Sequence, residues 1–119
     1  MIVPTIKISV GELLDKITIL QLKSKKTDNY YVEKELVDLM LVAKWCDVYD
    51  PEIIKPLYEV NQKLWELEDT IRGFERINYF GQDFIETARS IYIMNDQRAK
   101  IKREINEKYK SVYREIKVY

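Results

Sequence analysis

The sequence predicts an all-α protein, an antiparallel bundle of about four helices in which the last two form a long C-terminal hairpin. Glycine and proline number only three each in 119 residues, so long helices are favoured over strands. Apolar residues recur at three- and four-residue spacing, the period of a helix with one buried face. A chain of this length is expected to form a single domain, residues 1–119.

The first helix is predicted to run from Val10 to Lys26. Ser9 and Glu12 form a capping-box pattern, in which the hydroxyl accepts an amide proton three residues on and the glutamate reaches back. The alternating residues 6–10 before it suggest a short extended segment. The inward positions of this helix are Leu13, Leu14, Ile17, Leu20 and Gln21.

The second helix is predicted over Tyr30–Asp47, after the polar break Thr27–Asn29. Its apolar stripe is Val32, Leu36, Leu39, Ala43 and Cys46. A single cysteine excludes an internal disulfide and suits a reducing cytosol. Because Cys46 lies on the stripe, we expect a buried, unreactive thiol.

The third helix begins with an aspartate cap and a proline at the first helical position, Asp50 and Pro51. Its seam has coiled-coil spacing: Ile53, Leu57, Val60, Leu64, Leu67, Ile71 and Phe74. Gly73 within it predicts either a close approach by a neighbouring helix or the approach of the helix end. The seam is longer than one short chain is expected to cover, so a homodimer is plausible.

The fourth helix follows a turn at Asn78–Gln82 and is predicted to extend from Gln82 to at least Tyr109. So short a turn makes the last two helices antiparallel neighbours. The stripe of the fourth helix is Phe84, Ala88, Ile91, Met94 or Asn95, Arg98, Ile101, Ile105, Tyr109 and Val112. The tail Ile116–Tyr119 alternates again and could pair with Ile6–Val10.

Composition excludes several function classes. The absence of histidine removes histidine catalysis, histidine-ligated zinc and histidine pH switching. We assign no cofactor and no metal site. No signal peptide and no membrane-spanning apolar run are present, so a cytoplasmic protein without a membrane partner is expected.

Charge is balanced overall but unevenly distributed. Acids outnumber bases over Asp28–Glu75, and bases outnumber acids over Arg98–Lys117. A basic helix can bind a phosphate-rich partner. We favour packing of the basic helix beside the acidic one, because the excesses cancel within the chain, and we expect no nucleic-acid partner.

Polar residues interrupt the seam between the third and fourth helices. The third helix carries Asn61, Trp65, Glu68, Asp69 and Arg72, and the fourth carries Arg89, Tyr92, Asn95, Asp96 and Arg98. Buried polar groups are costly unless paired, so this cluster is either a structural network, which we favour, or a ligand site. As a site, its arginines would bind an anion while Trp65 or Tyr92 stacks on a ring.

The hairpin geometry predicts specific contacts within this cluster. Residues whose numbers sum to about 159 lie opposite one another if the hinge is near Tyr79. Asn61 then faces Arg98, and Glu68 or Asp69 faces Arg89.

Paired carboxylates one helical turn apart suggest an alternative function. Facing pairs of this kind could hold magnesium, as in the all-helical nucleoside triphosphate pyrophosphohydrolases, which these pairs resemble. The pairs are Glu12 with Asp15, Glu35 with Asp38, and Glu66 with Asp69.

Three segments resemble a single known family: GELLDKITIL (11–20), NQKLWELEDTIRGFE (61–75) and FGQDFIETARSIYIMNDQRAKIKREIN (80–106). They are similar to a family of small bacterial and phage proteins described as domain of unknown function six-one-six-five. The resemblance implies no activity, but it implies a genomic context of glycosyltransferases and surface polysaccharides. The family's polar motif residues fall on Glu12, Asp15, Lys16, Asn61, Trp65, Glu68, Asp69, Arg72, Arg89, Tyr92, Asn95, Asp96 and Arg98.

The expected function is a non-enzymatic cytoplasmic interaction or accessory module that binds a protein partner or forms a homo-oligomer. The alternative is a small-molecule or magnesium-dependent enzyme that uses the arginine and carboxylate cluster.

Overall fold

A computed structural model describes residues 1–118 and contains four helices: α1 (Val10–Ser24), α2 (Tyr30–Trp45), α3 (Pro51–Arg76) and α4 (Gln82–Lys108). No strand occurs within these residues, which confirms the predicted all-α bundle. Over the same residues, no helix has both the length and the apolar content needed to cross a membrane.

Helix α1 is the central element of the bundle. It packs against α2, α3 and α4, whereas α2 packs within the described chain against α1 alone. The α3–α4 hairpin has the most extensive contact surface of any helix pair. The core that these helices enclose comprises Leu13, Leu14, Ile17, Ala43, Val48, Ile54, Leu57 and Ile105.

The groove between α3 and α4 is only partly filled. The start of α1 meets the last turns of α4, and its end lies beside Leu64 of α3. The last buried residue of α3 is Leu64 and the first of α4 is Ala99. Residues 65–97, which we call the distal arm, therefore form a two-helix projection with no fully buried side chain.

Three helices end in the same way, with a left-handed residue after the cap. The next residue then donates its amide proton to a carbonyl five positions back, which is the Schellman motif. The left-handed residues are Asp47, Asn78 and Lys110, with φ of 57°, 56° and 50°. The bonds are Val48 to Ala43 at 2.9 Å, Tyr79 to Phe74 at 2.9 Å and Ser111 to Asn106 at 2.8 Å. These turns end α2 and α4 slightly before the predicted residues.

The expectation for Cys46 was wrong, because its side chain is exposed. It is the cap residue of α2, at the point where the chain turns away through the left-handed Asp47. Only Ala43 of the predicted α2 stripe is fully buried, since a helix that packs against one neighbour covers a narrow face.

The tail does not pair with the entry segment as a strand within residues 1–118, and Tyr119 lies outside the described residues. The tail instead forms ion pairs across α4, described below. Gly73 is not a point of close approach, because an added Cβ would meet no atom within 4 Å. It lies in the last turn of α3, which agrees with the other expectation, the approaching helix end.

Two glycines give opposite predictions for an alanine substitution. Gly73→Ala should raise the free energy of unfolding by about 0.5–1 kcal/mol, because alanine is the better helix former in open space. Gly11→Ala should lower it, since the new Cβ would lie 2.8 Å from the Lys102 carbonyl oxygen and 2.9 Å from Asn106 Oδ1. Urea unfolding followed by far-UV circular dichroism measures both, and a more stable Gly11→Ala variant would contradict the close α1–α4 approach.

Candidate functional site

A buried carboxylate joins three helices at the centre of the molecule. Asp15 of α1 is only 2% exposed. Its Oδ1 accepts hydrogen bonds from Asn61 Nδ2 of α3 and from Arg98 Nε of α4, both at 2.9 Å. A second guanidinium nitrogen of Arg98 donates to Oδ2, so the pair is bidentate.

Local sequence places Asp15 at this depth. Gly11, Asp15, Thr18 and Leu22 follow one another at four, three and four residues, so they share a face of α1, and all four are buried. Thr18 Oγ1 donates to the Asp15 carbonyl at 2.8 Å and accepts from Asn61 Nδ2 at 2.8 Å. Both amide protons of Asn61 are therefore used within the network.

The charge of Arg98 is compensated by Asp15. The hydrogen bonds that Arg98 donates to Asp15 hold the pKa of the guanidinium above its ordinary value, against the opposing effect of burial. The Arg98 side chain keeps 29% of its surface exposed, so its outer edge still reaches solvent. Removing either partner would leave the other charge desolvated and unpaired.

Asn61 and Arg98 come together as the hairpin register predicted, but through Asp15 rather than through a hydrogen bond to each other. The predicted pairing with Arg89 was wrong. No ion pair joins Glu68 or Asp69 to Arg89 within residues 1–118, and Glu68 pairs instead with Arg72, one turn away at 3.5 Å. Asp69 and Arg89 are both exposed, so water can solvate each charge without an ion pair.

Two clefts flank the outer edge of Arg98. The α1-end cleft, of about 420 Å³, contains all five predicted α3 residues, Asn61, Trp65, Glu68, Asp69 and Arg72, together with Asn95 and Arg98 of α4. The tail cleft, of about 560 Å³, contains Tyr92, Asn95, Asp96 and Arg98. Arg89 lies in neither. The structure thus divides the predicted cluster. Asn61 and Arg98 belong to the buried network, and most of the other residues line two clefts that are open to solvent.

Sequence reasoning missed Lys102, which is 6% exposed and forms a second ion pair between α1 and α4. Its Nζ pairs with Glu12 and with Glu115 of the tail, the latter at 3.0 Å. Burial lowers the pKa of Lys102, but hydrogen bonds to the two carboxylates outweigh it, so the net pKa lies above the ordinary value. The helical spacing of Glu12 and Asp15 against Lys102 and Arg98 was the signal available in the sequence.

The predicted capping box is only half formed. Glu12 N donates to Ser9 Oγ at 3.1 Å, as expected, but the Glu12 carboxylate pairs with Lys102 instead of reaching back. Residues from the other end of the chain complete the cap. Gly11 N donates to Asn106 Oδ1 at 2.7 Å and Val10 N donates to Ser111 Oγ at 3.1 Å. The free amides of the first turn of α1 are thereby satisfied.

The C-terminal tail forms one wall of the tail cleft. Glu115 pairs with Lys102, and Lys117 Nζ pairs with Asp96 at 2.5 Å. The basic end of α4 is thus partly neutralised by carboxylates of α1 and the tail. The charge balance had instead predicted neutralisation by the acidic α3.

The carboxylate pairs do not converge on a common point. No group of three or more histidine, cysteine, aspartate or glutamate side chains within the described chain could hold a metal ion. Glu12 and Asp15 are engaged by Lys102 and Arg98, and Asp38 pairs with Lys34 at 3.2 Å.

The chain belongs to the family of unknown function DUF6165, whose model matches residues 4–119. No curated protein and no solved structure matches this chain.

A double-mutant cycle tests the Asp15–Arg98 pair. Asp15→Ala and Arg98→Ala should each lower the free energy of unfolding by about 3–5 kcal/mol, because each leaves a desolvated charge without its partner. The double variant should lose less than the sum, with an interaction energy above about 1 kcal/mol. Urea unfolding measures all four proteins, and additive losses would show that the pair is not coupled.

Tail anchoring can be tested without altering the tail itself. Asp96→Asn removes the ion pair between Asp96 and Lys117, so trypsin should cleave after Arg114 up to about five-fold faster, the factor expected for an exposed ion pair worth about 1 kcal/mol. Asp83→Asn, an exposed acid on the same helix, is the matched control. Equal cleavage rates in both variants would show that this ion pair does not hold the tail.

Proposed function

We propose that the protein is a non-enzymatic interaction module that binds a protein partner through the distal arm. One observation carries the proposal: α3 and α4 continue beyond α1 over residues 65–97, and no third helix within residues 1–118 covers them. Two helices alone bury little apolar surface, so an ordered two-helix projection of this length fits a surface that is completed by another molecule.

The apolar composition of the arm supports this proposal. Its exposed large apolar side chains are 37% to 71% accessible and comprise Ile77, Tyr79, Phe80, Ile85, Tyr92 and Ile93. Ring contacts with centroid distances of 5.2 Å, Phe74 with Tyr79 and Phe80 with Phe84, order the tip without covering it. Large apolar and aromatic side chains on a rigid element are the usual anchors of protein interfaces.

The Asp15 network fits a supporting role at the base of the arm. Asp15, Asn61 and Arg98 satisfy one another, so little hydrogen-bonding capacity is left for a substrate. Their bonds fix α1 against both helices of the hairpin at the level where the arm begins. A module that presents a rigid arm requires such a base.

The cellular setting is also part of the proposal. The resemblance to bacterial and phage proteins encoded beside surface-polysaccharide genes supports an accessory role in that pathway. The single free cysteine fits a reducing compartment, so we place the protein in the cytoplasm.

A small-molecule site in the α1-end cleft is the second candidate. The cleft brings Trp65, Arg72, Asn95 and Arg98 together, which favours an anionic ligand with a ring. However, Arg98 already binds Asp15 and Arg72 already pairs with Glu68, so an anion would have to compete with two carboxylates. The interaction module is therefore the better supported function.

Photo-crosslinking in the native host tests the proposed module. A benzophenone side chain at Ile85 on the arm should give a discrete protein adduct, whereas the same group at Leu41, an exposed apolar position on α2, should not. Phe80→Asp in the Ile85-labelled protein should abolish the adduct. Adducts of equal yield from both positions, or none from Ile85, would contradict an arm-specific partner.

A further inference from the structure

We infer that the segment of the partner that contacts the arm is an amphipathic helix with basic flanks, lying in the distal groove between α3 and α4 in line with α1. This inference rests on the proposed function and gives the chemistry of the partner. Its support comes from the continuity of the groove, from the charge of the arm and from the helix that already occupies the other half of the groove.

The groove does not end where α1 ends. Ile19 and Leu22 near the end of α1 form one side of the α1-end cleft. The α3 side of the same cleft runs from Trp65 to Arg72. On α4, one face carries Asn95, Ile91, Ala88 and Phe84, which follow one another at intervals of four, three and four residues. These three apolar side chains are half-buried, and their spacing places them on the face of α4 that carries Asn95 of the cleft.

The empty part of the groove has the length of a short helix. Residues 65–76 of α3 span about 16 Å, which is three helical turns. A helix with apolar residues on one face would find in this groove the same pair of helices that α1 packs against. Helix-in-groove binding is thus the mode that the geometry of the arm favours.

The charge of the arm selects a basic occupant. Residues 65–97 contain seven acidic residues and three arginines, a net charge of −4. The acidic residues are Glu66, Glu68, Asp69, Glu75, Asp83, Glu86 and Asp96. A second copy would bring two arms of the same sign together, which disfavours self-association through this face.

The end of the helix already bound in the groove is basic. Lys23 lies in the last turn of α1, and Lys25 and Lys26 follow directly after it. Lys26, just after α1, places its Nζ 5.3 Å from the centre of the Trp65 ring, at the entrance to the empty groove. A partner helix with lysines or arginines beside its apolar face would continue this pattern.

Two synthetic helical peptides serve as probes. They share leucines at positions i, i+3, i+4 and i+7 and carry either lysines or glutamates on the flanks. Fluorescence anisotropy with the full chain should show at least about ten-fold tighter binding of the lysine peptide, weakening as salt is added. Asp69→Lys should weaken that binding about five-fold, because Asp69 lines the groove and has no ion pair within residues 1–118.

Glu35→Lys is the matched control, since it makes the same charge change at an exposed position on α2. Equal binding of the two peptides, or equal weakening by Glu35→Lys and Asp69→Lys, would overturn the inference. Sedimentation that shows a dimer abolished by Asp69→Lys would also overturn it, by assigning the groove to a second copy. An Ile85 adduct without peptide discrimination would leave the proposed module standing and refute only the basic helix.

Discussion

The position of α1 depends on the buried carboxylate of Asp15. A desolvated charge is tolerated only when its partners surround it, and here the partners come from α3 and α4. Sliding α1 by one turn along the groove would bury Asp15 against apolar side chains and leave Arg98 unpaired. Apolar packing alone tolerates such shifts far better, so the carboxylate selects one register among several that would bury similar area.

The polar contacts around Asp15 form a ladder along α1 and α4. Asp15 with Arg98 is one rung, Glu12 with Lys102 is the next, and the bond from Gly11 to Asn106 follows. The rungs are confined to the base of the hairpin, where three helices meet. Beyond them the hairpin changes from a buried, largely paired polar interior to an open surface of apolar and acidic side chains. This division separates the part of the molecule that holds its shape from the part that we propose binds a partner.

The sequence predicted helices well and side-chain partners poorly. Apolar spacing and the caps at Ser9 and Asp50 located the helix starts, because these are local properties of the chain. Opposing positions across the hairpin placed Asn61 and Arg98 at the same level. Such pairwise geometry considers two helices at a time, so it could not supply the third group, Asp15, on which both side chains converge.

The two wrong predictions, for Cys46 and for Glu68, have different causes. Cys46 was assigned to a helix stripe that ends before it, because nothing in the sequence marked Asp47 as left-handed. Glu68 found a partner within its own helix, a contact that competes with any contact across the hairpin. Exposed charges have several nearly equivalent partners, and the choice among them depends on neighbours that are distant in the sequence.

The shared cap of α1 also bears on the order in which the chain can fold. The amides of Val10 and Gly11 bond to side chains that lie 101 and 95 positions later, at the end of α4. During synthesis α1 emerges before α4, so its opening turn cannot be completed until Asn106 and Ser111 have been made. Of the four helices, α1 is made before the others but is completed only after α4, and such distant contacts slow folding relative to a bundle closed by local contacts alone.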